Sequence, residues 1–330
     1  MKSRINLLLW AAILLTVTAC TTPISQTATS SPIPAGPSLH GVFEGITPCS
    51  PLTRPLPQIP VDTNCEQMIW KIILYQDPAT KAPTTYRLES AFGVPKQGTP
   101  GLERGGTPIV MEGSWAIIKG TKIDPDAIVY ELHSDNQQTA VAFLKMADDI
   151  LHGLNSDQTL MVGNAAWSYT LNRTDNQVPK QADGQPGSMP EGSRPPIPSM
   201  PSGASILGVF EGRLPCHEIV LEFTKVPPFP GCTKIKWRLT LYRDQNTGTP
   251  TTYLYMGTTT IREGSWTILQ GTENDPDAIV YQLQLDNSGQ PVSFLKADEN
   301  HLFLMDGTQN LLVGNALFSY TLSRIDQVAQ

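Results

Sequence analysis

Four cysteines carry most of the chemistry available to this 330-residue chain, and they fall into two pairs at one spacing, Cys49 with Cys65 and Cys216 with Cys232. Two such side chains can close a disulfide or, as thiolates, hold a soft ion such as Cu(I). A metal site built on C-x-x-C preorganises both sulfurs on one turn. Here fifteen residues lie between the partners of each pair, and that local preorganisation is lost. Closing a loop of this size as a disulfide stabilises by about 3 kcal/mol. The disulfide is therefore the favoured reading, and copper ligation by Cys49, Cys65, Cys216 and Cys232 is the minority one. His217 is the one imidazole adjacent to these cysteines; the first pair has Ser50 in that place.

The pairs match because the chain is written twice. Gly41-Val42-Phe43-Glu44-Gly45 returns as Gly208-Val209-Phe210-Glu211-Gly212, 167 positions later, and Cys49, Cys65, Trp70 and Tyr86 return at the same offset. Beyond Tyr86 the offset drops to 151: Glu112-Gly113-Ser114-Trp115 becomes Glu263-Gly264-Ser265-Trp266, and Asp124-Pro125-Asp126 becomes Asp275-Pro276-Asp277. The difference of 16 predicts a loop insertion in the first copy between Tyr86 and Glu112. A unit this long is a duplicated domain, since solenoid repeats run to roughly 20–50 residues.

The elements that must position these residues are strands. Trp237-Arg238-Leu239-Thr240-Leu241 and Trp167-Ser168-Tyr169-Thr170-Leu171 alternate apolar with polar, the period of half-buried antiparallel strands. Turn signals separate such runs at Asp77-Pro78, Asp124-Pro125-Asp126, Asp275-Pro276-Asp277 and Asp286-Asn287-Ser288-Gly289. Seven or eight strands per repeat suit a small meander, and closing that meander into a barrel removes its edges. Lys145 to Leu154 reads as a helical turn or two. The expected fold is all-β: two tandem small antiparallel β-barrels, over residues 38–175 and 204–327, joined by a Pro/Gly-rich linker over 176–203. The aromatics Trp70, Trp115, Tyr130, Trp167 and Tyr169, with Trp237, Trp266, Tyr281, Phe318 and Tyr320, are expected inside as core, or as the lining of a cavity for a small apolar ligand.

The first residues read as an export signal over 1–19, with Lys2 and Arg4 before the apolar run Ile5 to Val17. That run is shorter than the roughly 20 residues of a membrane-spanning helix. Val17-Thr18-Ala19-Cys20 resembles the bacterial lipobox, which makes Cys20 the acylated first residue of the mature protein. Residues 20–37 are then a lipidated, flexible Thr/Ser/Pro tether. Removing Cys20 from the five cysteines leaves one pair per repeat, and an oxidising envelope makes disulfides their default state. Thr21 after the cysteine favours, by Gram-negative sorting rules, the outer membrane, with the domains facing the periplasm.

Other function classes find little support. There is no G-x-S-x-G, H-E-x-x-H or glycine-rich phosphate loop, so no enzyme activity is expected. Glu44 and Glu211 recur, as do Glu112 and Glu263, and recurrence within one chain points to a demand of the fold. The Asp-Pro-Asp turns lack the oxygen frame of a calcium loop. Histidines 40, 133, 152 and 301 do not pair at ligand spacing, and the nine methionines form no Met-x-Met cluster. A net charge of −7 with no basic run argues against nucleic acid.

The order of motifs resembles the N-terminal domain of the NlpE family of envelope lipoproteins. The resemblance lies in the opening Gly41 to Cys49 and Gly208 to Cys216, the central Glu112-Gly113-Ser114-Trp115 and Glu263-Gly264-Ser265-Trp266, and the closing Ser168-Tyr169-Thr170-Leu171 and Ser319-Tyr320-Thr321-Leu322. It implies a lipocalin-like barrel, and a role in copper tolerance or in signalling envelope and surface-contact stress through protein partners. The family's cysteines form a tight C-x-x-C, and its best-known member carries a different second domain; this chain departs from both. The expected function is a lipid-anchored sensor or interaction protein of the envelope with no resident cofactor. The alternative is a carrier for a small apolar ligand or copper.

Overall fold

The computed structural model describes residues 36–50, 54–122, 124–135, 140–177, 195–227, 229, 231–285 and 290–326. The expected signal segment, Cys20, most of the tether, the centre of the linker and the turn at 286–289 lie outside the described residues.

Eight strands build the first barrel: β1 (Ser38–Pro48), β2 (Gln67–Gln76), β3 (Pro83–Gly93), β4 (Thr107–Lys119), β5 (Ile128–Ser134), β6 (Val141–Ala147), β7 (Ile150–Gly153) and β8 (Thr170–Arg173). Eight more build the second: β9 (Ala204–Pro215), β10 (Lys234–Asp244), β11 (Pro250–Met256), β12 (Ile261–Gln270), β13 (Ile279–Leu283), β14 (Val292–Lys296), β15 (His301–Leu304) and β16 (Thr321–Arg324). Within each barrel, each strand pairs antiparallel with the next. The first sheet closes through Phe43↔Arg173 and Glu44↔Asn172, the second through Phe210↔Arg324 and Glu211↔Ser323. The chain is all-β with two closed eight-stranded barrels in tandem, as the alternation and turn spacing indicate.

Period-2 patterning drives the closure. In β10, Ile235, Trp237, Leu239 and Leu241 turn inward and are essentially inaccessible; in β2, Trp70, Ile72 and Leu74 do the same. The recurring glycine of the opening motif has a steric reason. A Cβ on Gly45 would sit 2.8 Å from the Thr170 carbonyl oxygen, and one on Gly212 2.6 Å from that of Thr321. These are the places where the last strand comes home to the first. The tryptophan of the central motif is tied in the same way in both copies, Trp115 Nε1 donating to Tyr75 O at 2.6 Å and Trp266 Nε1 to Tyr242 O at 2.7 Å. The Asp-Pro-Asp segments are turns in which Asp124 Oδ1 accepts from Asp126 N and Asp275 Oδ1 from Asp277 N.

Four expectations need correction. Lys145–Leu154 is not helical: it forms the β6–β7 hairpin, with Leu144↔His152 and Ala147↔Ile150 in register and Leu151 in the core. Trp167–Tyr169 are not in a strand; β8 starts at Thr170. The 16-residue insertion is only partly loop. It lengthens the β3–β4 ladder, which runs from Thr85↔Ser114 to Phe92↔Thr107, whereas β11–β12 runs only from Thr252↔Ser265 to Met256↔Ile261. One short helix, α1 (Glu218–Thr224), occupies the second cysteine loop, where only a loop was expected.

Candidate functional site

Both cysteine pairs are disulfides. Cys49 is bonded to Cys65 with Cα atoms 5.2 Å apart, and Cys216 to Cys232 at 6.0 Å. The four sulfurs considered as copper ligands are thus joined to one another, and thiolate is the form a soft metal takes. Each staple holds a segment against its barrel's core, by different means. In the first, Leu56 and Ile59 are buried in the core, and Arg54 fastens the loop by donating from Nη2 to Val61 O and Thr63 O, at 3.1 and 2.6 Å. In the second, His217 caps α1, its Nδ1 accepting from Ile219 N at 3.3 Å. Phe223 then stacks on Trp237 with ring centroids 4.6 Å apart, and the buried Arg262 donates to the Phe223 carbonyl.

Most of the expected interior aromatics are inside. Trp70 meets Phe143 edge-on at 5.8 Å, Trp115 packs on Tyr130, and Trp266 on Tyr281. Trp167 and Phe318 are not. They occupy the same position in the two copies and stack on each other, 5.4 Å between centroids and 8° between planes. Arg213 lies 5.5 Å from the Trp167 ring and Lys234 5.0 Å from the Phe318 ring; burial pushes the pKa of both cations below the ordinary value.

This stack marks a seam between the barrels in which the repeat touches itself. Ser168 Oγ is 2.7 Å from Ser319 Oγ, and Thr170 Oγ1 is 2.9 Å from Thr321 Oγ1, each pair 151 residues apart. Gly163 and Gly314 admit the approach. A Cβ on Gly163 would meet Ser323 Oγ at 2.6 Å, and one on Gly314 would meet Asn172 Nδ2 at 2.8 Å. Like contacting like around a local axis is the signature of an isologous interface, ordinarily found between two copies of a subunit. Asn172, fully buried, departs from the symmetry: its Oδ1 accepts from Gly314 N at 2.8 Å and its Nδ2 donates to Asn315 O at 3.1 Å.

The seam also gathers two histidines that the sequence left apart. His152 of β7 and His301 of β15 are completely buried, with ring centroids 4.8 Å apart. Both Nε2 atoms point at one carbonyl oxygen, that of Met161, at 3.0 and 3.1 Å. A carbonyl only accepts, so each Nε2 carries a hydrogen. His152 Nδ1 then accepts from the Thr170 hydroxyl at 2.9 Å, and His301 Nδ1 faces Asp298 Oδ1 at 2.8 Å. Burial, and then the neighbouring His301, push His152 down to about 3. Burial, the largest single influence, pushes Asp298 up, but the bond and charge of His301, the Asn300 N–H and the nearby His152 together hold it below its usual value.

Beside the seam runs an open groove of about 930 Å³ to which both barrels contribute, Glu44, Asp149 and Gln177 from the first, His217, Leu317 and Tyr320 from the second. Three of the four recurring glutamates are tied into the fold: Glu44 accepts from Thr174 Oγ1, Glu211 pairs with Arg238, and Glu112 with Arg87. His40 bonds to Gln76 and Tyr130, and His133 lies 3.4 Å from Glu131. Among the described residues no group of three or more His, Cys, Asp or Glu side chains is placed to hold a metal, and no helix is long and apolar enough to cross a membrane. The seam and groove were missed in the sequence. Their one trace was the recurrence of Ser168-Tyr169-Thr170 as Ser319-Tyr320-Thr321, which looks the same whether a residue serves its own barrel or meets its copy. No family model, no curated protein and no solved structure matches the chain.

Proposed function

We propose that this chain is a lipid-anchored protein of the cell envelope, of NlpE type, that works by binding other envelope proteins and so reports envelope, surface or copper stress. The observation that carries the reading is where space is found. The barrel interiors are filled by their own aromatic side chains and by plugs stapled in by disulfides, while an open groove of about 930 Å³ lies where the barrels meet. The groove is large enough for a small molecule but open along its length. That openness would leave a small cargo largely unenclosed, and it is what favours a protein partner. The lipobox at Cys20, the tether to residue 37 and the outer-membrane address supply the anchor. The carrier reading draws on a smaller cleft, of about 360 Å³, beside α1, where Phe223, Leu285, Val292 and Met305 offer apolar surface.

Native mass spectrometry of protein taken from the envelope fraction separates the two. A retained protein partner is the expected result, and a retained small apolar ligand or copper with no protein partner would replace this reading by the carrier. Cys20→Ser tests the anchor independently: the protein should leave the membrane pellet, and retention after a salt wash would refute lipidation at Cys20.

A further inference from the structure

We propose that the contact between the two barrels is an acid-sensitive latch, in which protonation of the buried His152, packed against His301 and Phe303 of the other barrel, opens the seam while each stapled barrel stays folded. The inference goes beyond the envelope reading and does not depend on it.

The geometry places the latch at a part of the seam where the copies differ. By the 151 offset, His152 stands where the second copy has Phe303, and His301 where the first has Ile150. His152 packs edge-on against Phe303 at 5.6 Å. Leu151 and Leu302 turn inward into the two barrel cores, so the neighbouring side chains of His152 and His301 turn outward, each toward the other barrel. His152 is bonded within its own barrel, to Thr170 and Met161 O, and the closed seam completes its burial by laying His301 and Phe303 of the other barrel against it. If the seam opens, that cover is lost while each core stays intact.

The hydrogen bonds say which protonation state the seam wants at His152. A chain runs from Thr321 through Thr170 to His152 Nδ1, and from His152 Nε2 to Met161 O. It uses the neutral ring, one nitrogen donating and one accepting. A second proton would replace an acceptor by a donor at Thr170, and would bury a cation 4.8 Å from the His301 ring. The one carboxylate bonded within the cluster, Asp298, is already engaged by His301 Nδ1. The other charges around the seam are engaged elsewhere: Arg173 with Asp149 and Asp175, Arg324 with Asp326, Lys296 with Glu299, and Arg213 and Lys234 over the Trp167 and Phe318 rings.

The sign follows from linkage. His152 is depressed in the closed state, from 6.5 to about 3, so its contribution to closure is complete above the ordinary value. It is lost as pH falls from there toward about 3. Asp298 is also depressed, but mainly by His301 and Asn300 of its own barrel, so only its weaker interaction with His152 acts across the seam. The closed-to-open ratio should fall by up to about tenfold per pH unit below 6.5.

The test uses the full chain from pH 7.5 to 4. Seam opening is followed by hydrogen exchange at residues 161–170 and 312–321 and by the radius of gyration, and barrel integrity by far-UV circular dichroism. In the wild type, the seam segments should lose protection as pH falls while the barrels keep their strand signal. His152→Phe, which copies the residue already present at 303, should lose most of that pH slope. Asp298→Asn, which removes the counter-charge and keeps both histidines, should move opening to higher pH. The latch is overturned if the wild-type seam stays protected to pH 4 with folded barrels, if His152→Phe opens with the wild-type slope, or if Asp298→Asn opens where the wild type does.

Discussion

The two barrels share strand number, closure glycine, tied tryptophan and disulfide position, and they differ in what each disulfide holds down. The first barrel is filled by an irregular loop with Leu56 and Ile59, the second by a capped helix that drives Phe223 onto Trp237. A second difference lies deeper. Trp70 Nε1 donates to Thr47 Oγ1 at 2.9 Å, but the residue in the place of Thr47 is Leu214, and Trp237 Nε1 finds no partner among the described residues. The scaffold is thus set by the strands, and the plug and its hydrogen bonds are free to diverge. The second barrel replaces a buried hydrogen bond with aromatic stacking.

Three substitutions test this comparison. Phe223→Ala removes the aromatic plug and should destabilise the second barrel by about 3–5 kcal/mol, the range for a buried Phe truncated to Ala. Hydrogen exchange should localise the loss to residues 204–326; an equal loss in the first barrel would show that the two do not unfold separately. Thr47→Val gives the first barrel the orphaned indole of the second at nearly constant volume. It should cost the first barrel about 1–3 kcal/mol in a denaturant titration, the penalty for stranding a buried donor. No measurable cost would mean that the Trp70 hydrogen bond is not what the first barrel relies on. At the small end, Lys119 pairs with Asp126 across the β4–β5 turn, whereas the second copy has Gln270 in that place. Both partners are fully exposed, so Lys119→Gln should leave the melting temperature unchanged. A clear drop would reveal an asymmetry in the hairpins that packing does not show.

The sequence was most readable where side chains answer to their own strand. Trp237 to Leu241 alternates because one face is core, and that survives in the fold. It was least readable where the environment comes from far along the chain. Lys145–Leu154 has the Met, Ala, Lys and Asp content of a short helix, yet cross-strand partners and the burial of Leu151 decide it. Helix α1 is seven residues long and ends just before Pro227, so its periodicity had no room to appear, and its cap, His217, is not one of the usual capping residue types. Trp167 keeps strand-like alternation but leaves the sheet, because its stacking partner is Phe318 of the other barrel. His152 and His301 do not recur, which in sequence reads as unimportance. In the structure it is the asymmetry on which the latch rests.

Because both sheets close on themselves, most strand margins among the described residues are paired within their own barrel. Backbone-mediated docking of an extended peptide, the means by which many β domains capture varied sequences, is confined to the stretch of β4 from Thr107 to Glu112 that β5 does not reach. Elsewhere recognition runs through side chains on loops and grooves, where each contact is encoded by a single codon. Such a surface can be retargeted one substitution at a time without disturbing the barrels beneath it, and duplication provides two of them to vary independently.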